Sequence, residues 1–172
     1  MKQLFISVAF IFTLMLPALS HAQSKSDDPT VTKSLDIARN MIMAVSGLAD
    51  DFKKYKGDFL MKDKSENAYY MIKDIDLGTD LQYVIVKPKG TTVIAAIYKN
   101  KSKDDKTVSM AFAAFTGGIT TLTNGKDFTI VRDEATTNDG ALKYFLKLKD
   151  TKIAAFSYDA KANEGTLLVA VQ

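Results

Sequence analysis

The sequence predicts an α+β fold: a tandem pseudo-repeat in which one helix is followed by a four-stranded antiparallel meander sheet, with the helices packed on one face. Two observations carry this expectation. Apolar residues recur at three- and four-residue steps from Ser34 and again from Thr107, and each such segment is followed by four short runs of β-branched and aromatic residues separated by turn chemistry. Local wording also recurs, Ala44-Val45-Ser46-Gly47 with Ala114-Phe115-Thr116-Gly117 and Gly90-Thr91-Thr92-Val93-Ile94-Ala95-Ala96 with Gly165-Thr166-Leu167-Leu168-Val169-Ala170.

In the first half, Leu35, Met41, Val45, Leu48, Phe52 and Tyr55 line one side of a helix while Asp36, Arg39, Asn40, Asp50, Asp51 and Lys53 line the other. Ser34 is the expected N-cap and Gly57 the expected stop. Strands are expected at 58–62, 68–73, 80–87 and 91–99, because Asp63-Lys64-Ser65-Glu66, Asp76-Leu77-Gly78 and Pro88-Lys89-Gly90 are turn formers. In the second half, Val108, Phe112, Phe115, Ile119 and Leu122 predict a helix, although Gly117-Gly118 and the following threonines are poor helix formers and 107–116 alternates well enough for a strand. Strands follow near 127–132, 141–148, 152–158 and 165–172. The small residues Gly47 and Gly117-Gly118 on the helices, with Ala95-Ala96 and Ala154-Ala155 in mid-strand, predict a short helix-to-sheet distance.

The N-terminus reads as an export signal. Met1-Lys2 is positive, Leu4 to Leu16 is a 13-residue apolar run, and Pro17 to Ala22 ends in small residues, so residues 1–22 are expected to be cleaved after Ala22. The run is shorter than the roughly 18 residues a spanning helix needs. Residues 23–33, polar and aperiodic, are expected to be a flexible leader. Residues 34–172 then form a single domain of two pseudo-repeats, 34–99 and 107–172, placed in the periplasm or outside the cell.

Composition limits the chemistry. The chain has no Cys and one His, His21, inside the expected signal. The mature protein then has neither imidazole nor thiol, which excludes Ser-His-Asp and Cys-His catalysis, disulfides, and metal sites built on His or Cys. No cofactor is expected. Removal of Lys2 leaves 22 basic against 20 acidic residues, and the lysines alternate with acids, as in Lys62-Asp63-Lys64-Ser65-Glu66, so no nucleic-acid partner is expected. The acidic pairs Asp50-Asp51, Asp104-Asp105 and Asp133-Glu134, and Asp74 with Asp76, fall in expected loops or on the polar helix face and read as solvated. Tyr69 and Tyr70 are adjacent and must point to opposite faces. Tyr70, Tyr98 and Tyr158 are the candidate binding residues, an aromatic stripe on the open side of the sheet.

The element order resembles that of the β-lactamase inhibitory proteins and of secretion-chaperone-like folds, without the inhibitors' disulfides. This resemblance carries over no functional residue. The expectation is an exported, non-enzymatic binding module for an unknown protein or cell-envelope component. The alternatives are a carrier holding a small apolar ligand between helices and sheet, and a carboxylate-dependent hydrolase.

Overall fold

A computed structural model describes residues 28–88, 90–125, 127–134 and 141–170. The expected signal peptide, 1–22, and residues 23–27 of the expected leader lie outside the described residues.

The first helix, α1, spans Pro29–Ser46, and so begins five residues before the expected Ser34. The cause is local: the Asp28 carboxylate accepts the Thr30 N–H at 2.8 Å, and Pro29 occupies the first turn, where its missing N–H costs nothing. Residues 29–33 therefore belong to the helix rather than to a flexible leader. Its end also comes early, at Gly47 rather than Gly57. Two 3₁₀ turns, Gly47–Asp50 and Lys53–Tyr55, flank a reversal in which Asp51 and Phe52 both take left-handed backbone, φ 56° and 59°. For a bulky residue such as Phe52 this conformation is strained. The strain is offset by burial of its ring, which is 1% exposed. A Cβ on Gly47 would lie 2.8 Å from the Phe52 ring and 2.9 Å from that of Tyr55, so only glycine leaves room for the reversal.

Eight strands follow, each close to its expected place: β1 Lys56–Lys62, β2 Ala68–Ile72, β3 Leu81–Val86, β4 Thr92–Lys99, β5 Phe128–Arg132, β6 Ala141–Leu148, β7 Thr151–Asp159 and β8 Glu164–Val169. They form one antiparallel sheet in the order β1-β2-β3-β4-β8-β7-β6-β5. Its central seam is the β4–β8 ladder, running from Ile94↔Val169 to Lys99↔Glu164.

Between β4 and β5 the chain is helical in three pieces: α2 Thr107–Ala113, a π turn Ala114–Gly118, and α3 Ile119–Thr123. The strand alternative for 107–116 is not realised, because Val108, Ala111, Ala114, Phe115 and Ile119 are all buried at helical spacing. A Cβ on Gly118 would sit 2.7 Å from the Ala38 Cβ, whereas Gly117 has nothing within 4 Å. Gly118 thus sets the distance between two helical segments, not the expected distance from helix to sheet.

Side chains of all three helices join alternate sheet positions in one buried cluster. From the sheet it takes Val84, Ile94, Ala96, Tyr98, Leu146, Leu148, Ala154, Phe156, Leu167 and Val169. Ile153, beside the register shift between β6 and β7, also turns inward. No helix among the described residues is long and apolar enough to cross a membrane.

Candidate functional site

Register decides which residues share a face. Paired Cα positions point the same way and neighbours along a strand point opposite ways. Tyr98, Gly165 and Tyr158 form one row across β4, β8 and β7, and that row faces the helices. Tyr98 is fully buried; its hydroxyl donates to the Leu77 carbonyl at 3.0 Å, and its ring lies 5.7 Å from that of Phe156. Burial pushes its phenol far above the ordinary tyrosine range. Tyr158 is half-buried with its ring 5.5 Å from Phe112 of α2. Tyr70 lies apart on the same side, with its ring 5.7 Å from Phe59 and 4.7 Å from the Lys56 ammonium. The expected stripe on the open side is therefore corrected. All three tyrosines are on the helix side, Tyr98 within the core cluster and Tyr70 and Tyr158 packed against it.

The opposite face carries the alternate positions of the same strands. In the first half these include Met61, Tyr69, Met71, Leu81, Tyr83 and Ile85, with Val93, Ala95 and Ile97 on β4. In the second they include Leu168, Ala155, Phe145 and Val131. None of these side chains belongs to the helix-packed cluster. Met61 is 53% exposed, Met71 51%, Leu168 41%, Leu81 39% and Val131 37%. Met71, Leu168 and Val131 share one level of the ladder, separated by Tyr83, Ala95, Ala155 and Phe145, of which the last three are 4–5% exposed; Met61 and Leu81 lie two residues to either side of that level.

Two features modulate this face. Tyr69 and Tyr83 meet edge to face at 6.0 Å, and the Tyr69 hydroxyl donates to Asp63 at 3.0 Å. Asp63 also accepts from the Asn67 side-chain amide and from the Ser65 and Asn67 backbone N–H groups, which fix the β1–β2 turn. The Asn67 amide leads in holding its carboxyl below the usual range. At the far side Phe145 is clamped by two ammonium groups, Lys152 at 3.7 Å and Lys143 at 4.9 Å from the ring centre. Lys147 pairs with Lys152 at that corner.

The edge strand β1 is guarded differently. Phe59 and Leu60 are 55% and 45% exposed, but register shifts on either side of Phe59 break the ladder. Lysines stand at both ends of the strand. Bulges and edge lysines discourage pairing with another strand.

A cleft of about 500 Å³ lies at one end of β3 and β4, lined by Lys33, Asp76, Thr79, Asp80, Lys99 and Lys101 among others. Two of its lysines are already paired, Lys101 with Asp80 at 2.9 Å and Lys99 with Glu164 at 2.8 Å. Among the described residues no three His, Cys, Asp or Glu side chains gather to hold a metal.

The carboxylates that are clearly perturbed clamp loops. Asp105 accepts the Lys101 N–H at 2.7 Å and, from Thr107, the hydroxyl at 2.7 Å and the N–H at 2.8 Å. The Lys101 bond leads in holding its carboxyl down at about 2. Asp63, and Asp28 through the Thr30 N–H, shift the same way. A carboxyl lowered from an unfolded value near 4 stabilises the fold fully above about pH 4 and stops doing so as pH falls toward 2. Asp105→Asn is accordingly expected to flatten the dependence of stability on pH between about 4 and 2. Urea titrations at a series of pH values measure this, and an unchanged slope would show that the clamp does not contribute.

The exposed apolar side chains of this face are not singled out by the sequence, but a signal for them is present. Strands β3 and β4 are apolar on both faces, while two helical segments cover one face of a sheet. Comparison of the chain with protein-family models, with curated proteins and with solved structures finds no match to any of them.

Proposed function

We propose that this chain is an exported, non-enzymatic interaction module, acting in the periplasm or outside the cell, whose open sheet face engages a protein or a component of the cell envelope. The observation that carries this reading is the set of exposed apolar side chains on the face away from the helices, Met61, Met71, Leu81, Leu168 and Val131, spread over three levels of the ladder and each 37% exposed or more. Export is supported by the charged, apolar and small-residue order of Met1 to Ala22.

A duplication is the economical origin of so wide a face. The match of Gly90–Ala96 with Gly165–Ala170 makes Ile94 equivalent to Val169. These two residues pair across the seam and are both fully buried, which suits a local two-fold axis through that pair. Ala44 and Val45 are likewise buried, as are their counterparts Ala114 and Phe115. The offset of 75 rather than 70 residues fits the greater length of β7, nine residues against six in β3, rather than a longer turn.

A photo-crosslinking amino acid at position 168 tests the assignment in the native host. A covalent product is expected there and not with the same group at the exposed Ser109 of α2. Equal yields at both positions, or no product at 168, would remove the face as the site of engagement.

A further inference from the structure

Resting on that reading, we propose that the occupant of the open face is a second copy of this chain, packed sheet against sheet about a two-fold axis parallel to the strands near the β4–β8 seam. Size supports it. Eight strands at about 4.8 Å and roughly six residues at about 3.3 Å give a face of about 750 Å², against the roughly 800 Å² per partner of a stable interface.

Shape supports it at the centre. Leu168 is paired on one side with Ala95 and on the other with Ala155, so a projecting side chain stands between two small ones. An axis along the strands that crosses this row between β4 and β8 seats the Leu168 of each copy over the Ala95 of the other. Such self-complementarity is what an isologous interface requires.

Charge selects the direction of the axis. Lys147 and Lys152 occupy the end of β6–β7 that lies, by strand direction, at the same end of the sheet as the Asp63–Asn67 turn, though at opposite sides. An axis along the strands keeps the ends together and exchanges the sides. The lysine corner of each copy then covers the other's Tyr69 ring and the turn bearing Asp63 and Glu66, whereas an axis across the strands sets lysine on lysine. Pairing through β1 is disfavoured by its register shifts and lysines.

Light scattering or sedimentation of the purified mature chain from 1 to 100 µM, roughly, tests this over the range where standard interfaces form. Twice the monomer mass is expected at the upper end. Leu168→Arg is expected to restore the monomer with unchanged circular dichroism, while Ser109→Arg leaves the dimer intact. Lys147→Glu with Lys152→Glu is expected to weaken association about tenfold, and adding Glu66→Lys to recover part of it. A monomer at every concentration, or a dimer indifferent to Leu168→Arg, overturns the second copy as occupant. Dissociation by Leu168→Arg without any effect of the charge reversals overturns the axis. The crosslink at position 168 separates the two levels: a product of another mass from a monomeric chain ends the dimer and keeps the interaction surface, and no product ends both.

Discussion

Phe156→Ala is expected to lower the unfolding free energy by about 3–5 kcal/mol, the range for emptying a large buried aromatic site. Phe156 is 0% exposed, and its ring lies 5.5 Å from Phe115, 5.7 Å from Tyr98 and 6.1 Å from Phe112. It therefore joins β7 to β4 and to both the α2 and π segments. The same ring closes over Gly165, where a Cβ would lie 2.9 Å away. Sheet and helices cannot both collapse into the vacated volume, so the loss should stand near the upper end of the range. Urea unfolding with an unchanged m-value is the measurement, and a loss below about 1 kcal/mol would mean the site relaxes freely.

Gly118→Leu has the next largest effect. Ala38 on α1 is fully buried opposite Gly118, and a Cβ would come within 2.7 Å of the Ala38 Cβ. Both atoms are held by helix backbone, so neither can swing aside, and overpacking of about 3 kcal/mol or more is expected. The neighbouring residue supplies the control. Gly117→Ala meets nothing within 4 Å and should be neutral or stabilise by up to about 1 kcal/mol through helix propensity. Ala38→Gly, added to Gly118→Ala, should return part of the loss. Thermal denaturation of the four variants separates a packing constraint from a general intolerance of the π turn.

Legibility of the fold followed the range of the interactions. Strand limits other than the end of β8, expected at 172 and found at Val169, fall within two residues because turns such as Asp63-Lys64-Ser65-Glu66 carry their own chemistry; Asp63 alone satisfies four donors there. Helix limits were misread where two signals compete: Ser34 has cap chemistry, but Asp28-Pro29 acts first, and Ser34 instead donates to the Met110 carbonyl at 3.4 Å. The end at Gly47 depends on ring packing by Phe52 and Tyr55, which periodicity does not report. The adjacency of β4 and β8 is a pairing of distant segments that no local pattern encodes.

The candidate site was legible in kind but not in side. Alternation correctly set Tyr69 opposite Tyr70. In β4, however, Val93, Ala95 and Ile97 are as apolar as Ile94, Ala96 and Tyr98, so pattern alone does not choose the covered face. That choice is made by Phe112, Phe115 and Phe156, whose rings gather on the Tyr98 side. What remained available was an area argument: apolar strands on both faces with helices for one imply an open face.

The cysteine-free chain permits a direct test on two adjacent residues of β8, Leu168 on the open face and the fully buried Val169 on the other. In single variants Leu168→Cys and Val169→Cys, the thiol at 169 should resist a maleimide in the native state. The thiol at 168 should react at low protein concentration and become protected as the concentration rises. Equal protection of both thiols in the dilute chain, or reactivity at 168 that never changes with concentration, would contradict a one-sided core whose bare face is an interface.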